Sequence, residues 1–232
     1  MSCPFDLTVI CDNHAGEGLL PEHGLSLHIR ADGLKILFDT GSGETLPHNA
    51  AALDVDFSQI SHLILSHGHY DHTGGVEQVL AANTLCQLIA HPFAFSERYS
   101  RHADRPIKRI GMPDNIRATL QLLNPDRLHC FSGVLLLSEN IGITGSVPRT
   151  YLFEDTGGPF YLDEAGQLVD LLPDDQALWI NTPQGLVIVL GCCHSGVVNT
   201  VEYIRQLNDG AGIAGIIGGL HLLHPSAERL KQ

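Results

Sequence analysis

Residues 66–75 read Ser66-His67-Gly68-His69-Tyr70-Asp71-His72-Thr73-Gly74-Gly75, directly after the apolar run His62-Leu63-Ile64-Leu65. Four potential metal ligands, His67, His69, Asp71 and His72, fall within six residues. The apolar run reads as a buried strand that ends where the ligands begin. Side chains of an extended chain alternate, so His67 and His69 project to one side. The chain then turns, and Asp71 and His72 reach a second point nearby. Neutral imidazoles plus one carboxylate suit two divalent ions sharing a site. A His-x-His pair alone is weak, and a His-rich surface loop is the bland alternative. Four ligands at this spacing behind an apolar strand rarely arise by chance.

Two further strand ends carry histidine. Leu190-Gly191-Cys192-Cys193-His194-Ser195-Gly196 follows an apolar run and precedes a helical pattern. Gly218-Gly219-Leu220-His221-Leu222 follows the run at 213–217. Single histidines at such places are often only hydrogen-bonded. A pair of ions needs more ligands than one loop supplies, which makes His194 and His221 candidates. One of Cys192 and Cys193 reads as a small buried residue; the other is undecided.

These segments, with Cys11-Asp12-Asn13, Phe38-Asp39-Thr40-Gly41 and Asp174-Asp175-Gln176-Ala177, resemble the metallo-β-lactamase fold superfamily. Within it they are similar to a subgroup that includes ribofuranosylaminobenzene 5′-phosphate synthases. The resemblance implies an α/β fold, an αββα four-layer sandwich of two mixed β-sheets flanked by helices. It implies metal ligation by His67, His69, Asp71, His72, His194 and His221, with Asp39 supporting the metal loop from behind. The subgroup continues past its Gly-Gly-x-His strand to a further strand with one more histidine, whereas this chain stops at Lys231-Gln232. The expectation is one domain over 1–232 that lacks a C-terminal segment, with the second ion short of a ligand.

The rest of the chain fits a layered α/β domain. Apolar runs at 7–11, 25–30, 34–39, 62–65, 85–90, 134–137, 141–144, 176–182, 186–190 and 213–217 read as strands. Ala31-Asp32-Gly33 is a hairpin signal. Helical patterns occupy 44–53, 75–82 and 197–207, and 225–230 looks like a helix start. The Pro-punctuated region 91–127 reads as irregular. Many strands in two groups suit two stacked sheets.

Composition narrows the function. A net charge of −13 over 232 residues argues against a nucleic-acid groove. Six cysteines, two of them adjacent, lack the density of a small secreted scaffold, and reduced thiols in a cytoplasmic protein are expected. No run approaches the roughly 20 apolar residues of a membrane helix. Arg98, Arg101, Arg105, Lys108, Arg109 and Arg117 put six of thirteen basic residues into one window. Such runs are usually solvated faces. A basic flap beside the metals would also suit a phosphorylated substrate, with Arg105 and Arg109 as phosphate readers.

The leading expectation is a hydrolase using a metal-activated water on an ester or phosphoester of a small, phosphorylated molecule. Asp71 and His72 are its candidate catalytic residues, and Asp71 can both ligate and accept a proton. Zinc is the expected ion, one or two per chain, with manganese, iron or nickel as alternatives. Other readings are a synthase or lyase on a phosphoribosyl compound, a mononuclear-iron dioxygenase of the same fold, and a non-catalytic binding module. The flavodiiron pattern, with Glu where His69 stands and an added flavodoxin-like domain, is absent.

Overall fold

The computed structural model describes residues 4–222 and 228–229. Strands β1 (Phe5–Cys11), β2 (Ser26–Ala31) and β3 (Leu34–Phe38) open the chain. Helix α1 (Leu46–Ala52) leads to β4 (His62–Ile64). Helices α2 (Tyr70–Thr73) and α3 (Val76–Ala82) lead to β5 (Gln87–Ala90). The short strands β6 (Tyr99–Ser100) and β7 (Lys108–Arg109) precede helix α4 (Asp114–Gln121). There follow β8 (Leu128–Cys130), β9 (Leu135–Leu136), β10 (Ile141–Ile143) and β11 (Phe160–Tyr161). The hairpin β12 (Ala177–Thr182) and β13 (Gly185–Leu190), helix α5 (Val197–Leu207) and β14 (Ile213–Gly218) complete the series. The expected helix start at 225–230 lies outside the described residues apart from Glu228 and Arg229.

The strands form two main sheets, ordered β1-β2-β3-β4-β5-β8 and β14-β13-β12-β10-β9. Each mixes parallel and antiparallel pairs. Their facing sides bury Leu27, Ile29, Ile36, Phe38, Ile64 and Ile89 against Ile141, Ile143, Leu178, Ile180, Val187 and Val189. Each such side chain contributes about 1.5–3 kcal/mol when fully buried. The outer face of the first sheet packs Leu37, Leu63, Leu65 and Leu88 against Leu46, Val76, Val79, Ile116 and Leu120 of α1, α3 and α4. The outer face of the second packs Trp179, Ile188 and Leu190 against Ile204 of α5. Helix, sheet, sheet, helix is the four-layer αββα sandwich.

The β2–β3 hairpin closes on Asp32 and Gly33, with φ of 52° and 77°. Ala31 pairs with Leu34, so the turn has two left-handed residues and matches the sheet's twist. The region 91–127 differs from its irregular reading. Helix α4 starts after Pro113, and Ile116 and Leu120, four residues apart, seat it on the core. Strands β6 and β7 join β11 in a third sheet, ordered β11-β6-β7. Two-residue strands are too short to show a periodicity, and the eight-residue helix carries four polar or charged side chains among its first four and last residues.

Candidate metal centre

The loops after β3, β4 and β13 converge on one point. The strand ends deliver them there because β3 runs parallel to β4 and the two sheets stack. His67, His69, Asp71, His72 and His194 are all buried. The His67 ring lies 4.5 Å from His69, 4.3 Å from His72 and 4.8 Å from His194, centroid to centroid. Between His67 and His69 the chain passes beneath residues 92–95. A Cβ at Gly68 would lie 2.0 Å from the Ala94 carbonyl oxygen, so only glycine fits.

Hydrogen bonds set the tautomers. Asp39 has φ 62° and is fully buried. Its carboxylate accepts from Ser66 N (2.7 Å), Ser66 Oγ (2.6 Å) and His72 Nδ1 (2.6 Å). The single Ser66 hydroxyl proton is used on Asp39, so His67 Nδ1–H donates to Ser66 Oγ at 2.9 Å. His194 Nδ1–H donates to the Thr156 carbonyl at 2.8 Å. The Nε2 atoms of His67 and His194 therefore turn their lone pairs to the shared space, and that of His72 does so whenever its ring is neutral. Buried His69 Nε2 and His194 Nε2 have no hydrogen-bond partner. Unpartnered buried nitrogens with lone pairs converging are what a cation needs.

Among the described residues, two sets of ligand atoms each lie within 4.8 Å: His67, Cys192 and His194, and Asp71, His72 and Cys192. Cys192 belongs to both, with its Sγ 3.1 Å from His72 Nε2. Imidazole, thiolate and carboxylate donors fit zinc, and the borderline ions near it. His69 borders the first set through His67 Nε2, 3.0 Å from its own Nδ1. His221 stands farther out, its ring tilted by 45° against that of His194 with centroids 4.6 Å apart. Cys193, with φ 56°, turns away into the apolar cluster of α5. Asp39, Cys193 and His221 all hold a left-handed backbone, and such strain gathers at functional loops.

Burial, then the neighbouring rings, holds His67, His69 and His194 well below the usual imidazole range. Burial also pulls on His72, but Cys192, Asp39 and Asp71 outweigh it and keep its pKa well above that range. Unfolding exposes the three depressed rings, which then bind protons below about pH 6.5. The metal-free fold is therefore expected to lose stability as pH falls from about 7 toward 5, each ring contributing a slope of up to about 1.4 kcal/mol per pH unit. His72 acts in the opposite sense, losing its stabilising proton as pH rises through its raised value. Denaturant midpoints of chelator-treated protein across this range measure the effect, and a flat profile would contradict the buried neutral rings.

Three contributors escaped the sequence reading. His23, 68% exposed, places Nε2 3.3 Å from Asp71 Oδ2; its only signal was the Glu22-His23-Gly24 run before a strand. Phe160 of β11 lays its ring 5.3 Å from both His69 and His194. Arg98, expected in the basic flap, is fully buried beneath the His67–His72 loop. The flap itself is mostly neutralised. Arg109 binds Glu97 (2.7 and 2.8 Å) and Asp114 (2.6 Å twice), and Arg117 binds the same two carboxylates. Arg105 is exposed beside Asp104 and lines a surface cleft of about 400 Å³ with Arg101, His102 and Glu164. No helix among the described residues is long and apolar enough to cross a membrane.

Comparison with known proteins agrees with this architecture. An uncharacterized protein of Methanocaldococcus jannaschii, MJ0448, is 30% identical over 228 residues, covering 97% of this chain and 83% of that protein. A second protein of that organism is named 7,8-dihydropterin-6-methyl-4-(beta-D-ribofuranosyl)-aminobenzene-5'-phosphate synthase. It is 28% identical over 225 residues, covering 90% of this chain and 74% of that one. The crystal structure of Tm1679, described as a metal-dependent hydrolase of the beta-lactamase superfamily, superposes with a TM-score of 0.75. Its identity is 26%, over 97% of this chain and 80% of that chain. The sequence model of the metallo-beta-lactamase superfamily matches residues 20–200, and the chain belongs to that superfamily.

Proposed function

We propose that the protein is a metal-dependent hydrolase acting on an ester or phosphoester of a small, phosphorylated molecule. The observation that carries this reading is the pair of converging ligand sets joined at Cys192. His67, His69 and His194 would hold one zinc ion, and Asp71, His72 and Cys192 a second, with His221 completing the outer side. Manganese, iron or nickel would suit the same donors less closely. Bound zinc supplies Lewis acidity and draws the pKa of water toward neutrality.

The chain's own groups do the rest. Asp39 and Ser66 orient His72 and His67 through the bonds described above. Asp71 presents a carboxylate oxygen to the same space, 3.8 Å from His72 Nε2, and is the group placed to take up a proton. Phe160 covers His69 and His194 on one side. Metal analysis of purified protein, with a panel of phosphodiesters, phosphomonoesters, thioesters and lactones, tests the reading. Metal-bound protein inert to the whole panel would overturn it.

A second reading has its own support. The 28% identical synthase matches 90% of this chain. On this reading the same side chains would bind a phosphoribosyl compound for synthase or lyase chemistry. Turnover of such a compound without ester hydrolysis would favour it.

The phosphate preference rests on Arg105, since four carboxylate contacts already occupy Arg109. Replacing Arg105 with alanine is expected to raise KM for a phosphorylated ester a few-fold, roughly the size of a screened surface contact. KM for an uncharged ester should not move. Equal KM values for the phosphorylated ester in both proteins would leave the cleft no role in phosphate binding.

A further inference from the structure

Arg98 is fully buried, at 0% exposure, and its guanidinium is spent on neighbouring carboxylates rather than on solvent. Its Nη1 and Nη2 donate to the two oxygens of Asp174 at 2.8 and 2.6 Å. Its Nη2 also donates to the Phe93 carbonyl at 3.1 Å. Its Nε lies 3.0 Å from Asp170 Oδ2, a contact of opposite charges rather than an aligned hydrogen bond. Asp174 in turn accepts at 2.8 Å from Gly68 N, the peptide between His67 and His69. A planar fork gripping a carboxylate on two sides leaves that carboxylate little freedom.

The backbone of Arg98 reaches the same loop by another path. Its carbonyl accepts from Ile110 N at 2.8 Å, and the Ile110 carbonyl accepts from Tyr70 N at 3.0 Å. Asp170 reaches the third sheet, because Asp170 N donates to the Phe160 carbonyl at 2.9 Å. Phe160 is the ring against His69 and His194. One guanidinium thus joins the His67-Gly68-His69 loop to the small β11-β6-β7 sheet. An apolar side chain would fill the same space without a directed bond to the loop.

We propose that Arg98 is a positioning residue: through Asp174 it orients His67 and His69 for the metal, and through Asp170 it holds Phe160 over them. This rests on the metal-binding reading proposed above. Asp174 then governs metal affinity, while Asp170 governs the third sheet.

The test compares Asp174→Asn, Asp170→Asn and Arg98→Lys with wild type. Cobalt affinity is read from its visible absorption, and hydrogen exchange from peptides covering 98–111 and 158–162. Asp174→Asn leaves Arg98 paired with Asp170, and Asp170→Asn leaves it paired with Asp174, so neither variant strands a buried charge. Arg98→Lys keeps the charge and loses the fork. Asp174→Asn and Arg98→Lys are expected to weaken cobalt binding by about 10–100-fold, the usual cost of losing a group that orients ligands. Asp170→Asn should weaken it less than about threefold while exchange in the third sheet accelerates. If Arg98→Lys does not fold, the contrast between the two asparagine variants decides. Folded Asp174→Asn with wild-type cobalt affinity would overturn the positioning proposal alone. Wild-type protein that takes up no cobalt would overturn the hydrolase reading and this proposal with it.

Discussion

Replacing His67 and His69 together with alanine is expected to empty the first metal position and to lower kcat/KM by roughly a thousandfold or more. Metal assistance in this chemistry is worth several kcal/mol, and each 1.36 kcal/mol is about tenfold in rate. Two of the imidazoles that face the shared space would be gone, leaving His194 and Cys192 as a pair too small to close a tetrahedral site. Stability gives a second readout. An ion present at about a hundred times its dissociation constant stabilises the fold by about 2.7 kcal/mol. For a chain of this size that corresponds to about 5–10 °C in Tm. A chelator should therefore lower the wild-type Tm by more than it lowers that of the double variant, the difference being about that amount. Wild-type metal content in the double variant would show the site to be elsewhere.

Asp71→Asn is expected to cost about 10²–10⁴ in kcat, the range for removing a positioned proton acceptor, with Tm unchanged within about 3 °C. The reason lies in what its side chain touches. Its carboxylate faces His23 at 3.3 Å and His72 at 3.8 Å. What the fold draws from this residue is its backbone carbonyl, which accepts from Leu25 N. Asparagine keeps the shape and the backbone bond and removes only the charge. Saturating metal separates lost affinity from lost chemistry. Unimpaired turnover under that condition would remove Asp71 from the proposed role, whereas a large fall in Tm would mean that the charge holds the loop as well.

The readings that held were local ones. The β2–β3 hairpin depends on Asp32 and Gly33 accepting positive φ, which two adjacent residues decide between them. The long strands showed because their side chains face apolar layers on both sides, so their apolar runs are unbroken. The clustering of His67, His69, Asp71 and His72 showed because four side chains able to bind a metal sit within six residues at the end of such a strand. Asp39 was reached through resemblance rather than residue physics. Nothing in Phe38-Asp39-Thr40 says that its carboxylate will meet Ser66 and His72.

Sequence alone, then, determined the layered α/β architecture and the clustering of the 67–72 side chains, because strand alternation, turn residues and residue spacing act within a few residues of one another. Tertiary structure decided which cysteine faces the buried histidine cluster. A positive φ at Cys193 sends one thiol into the helix layer and leaves the other beside His72. It also decided what the basic residues of 98–117 do. Arg109 meets Glu97 and Asp114 on one surface. Arg98 meets Asp174, 76 residues away, and through it the peptide of Gly68, 106 residues from that aspartate. An ion pair closes wherever folding brings opposite charges together, and charge along the chain carries no record of that distance.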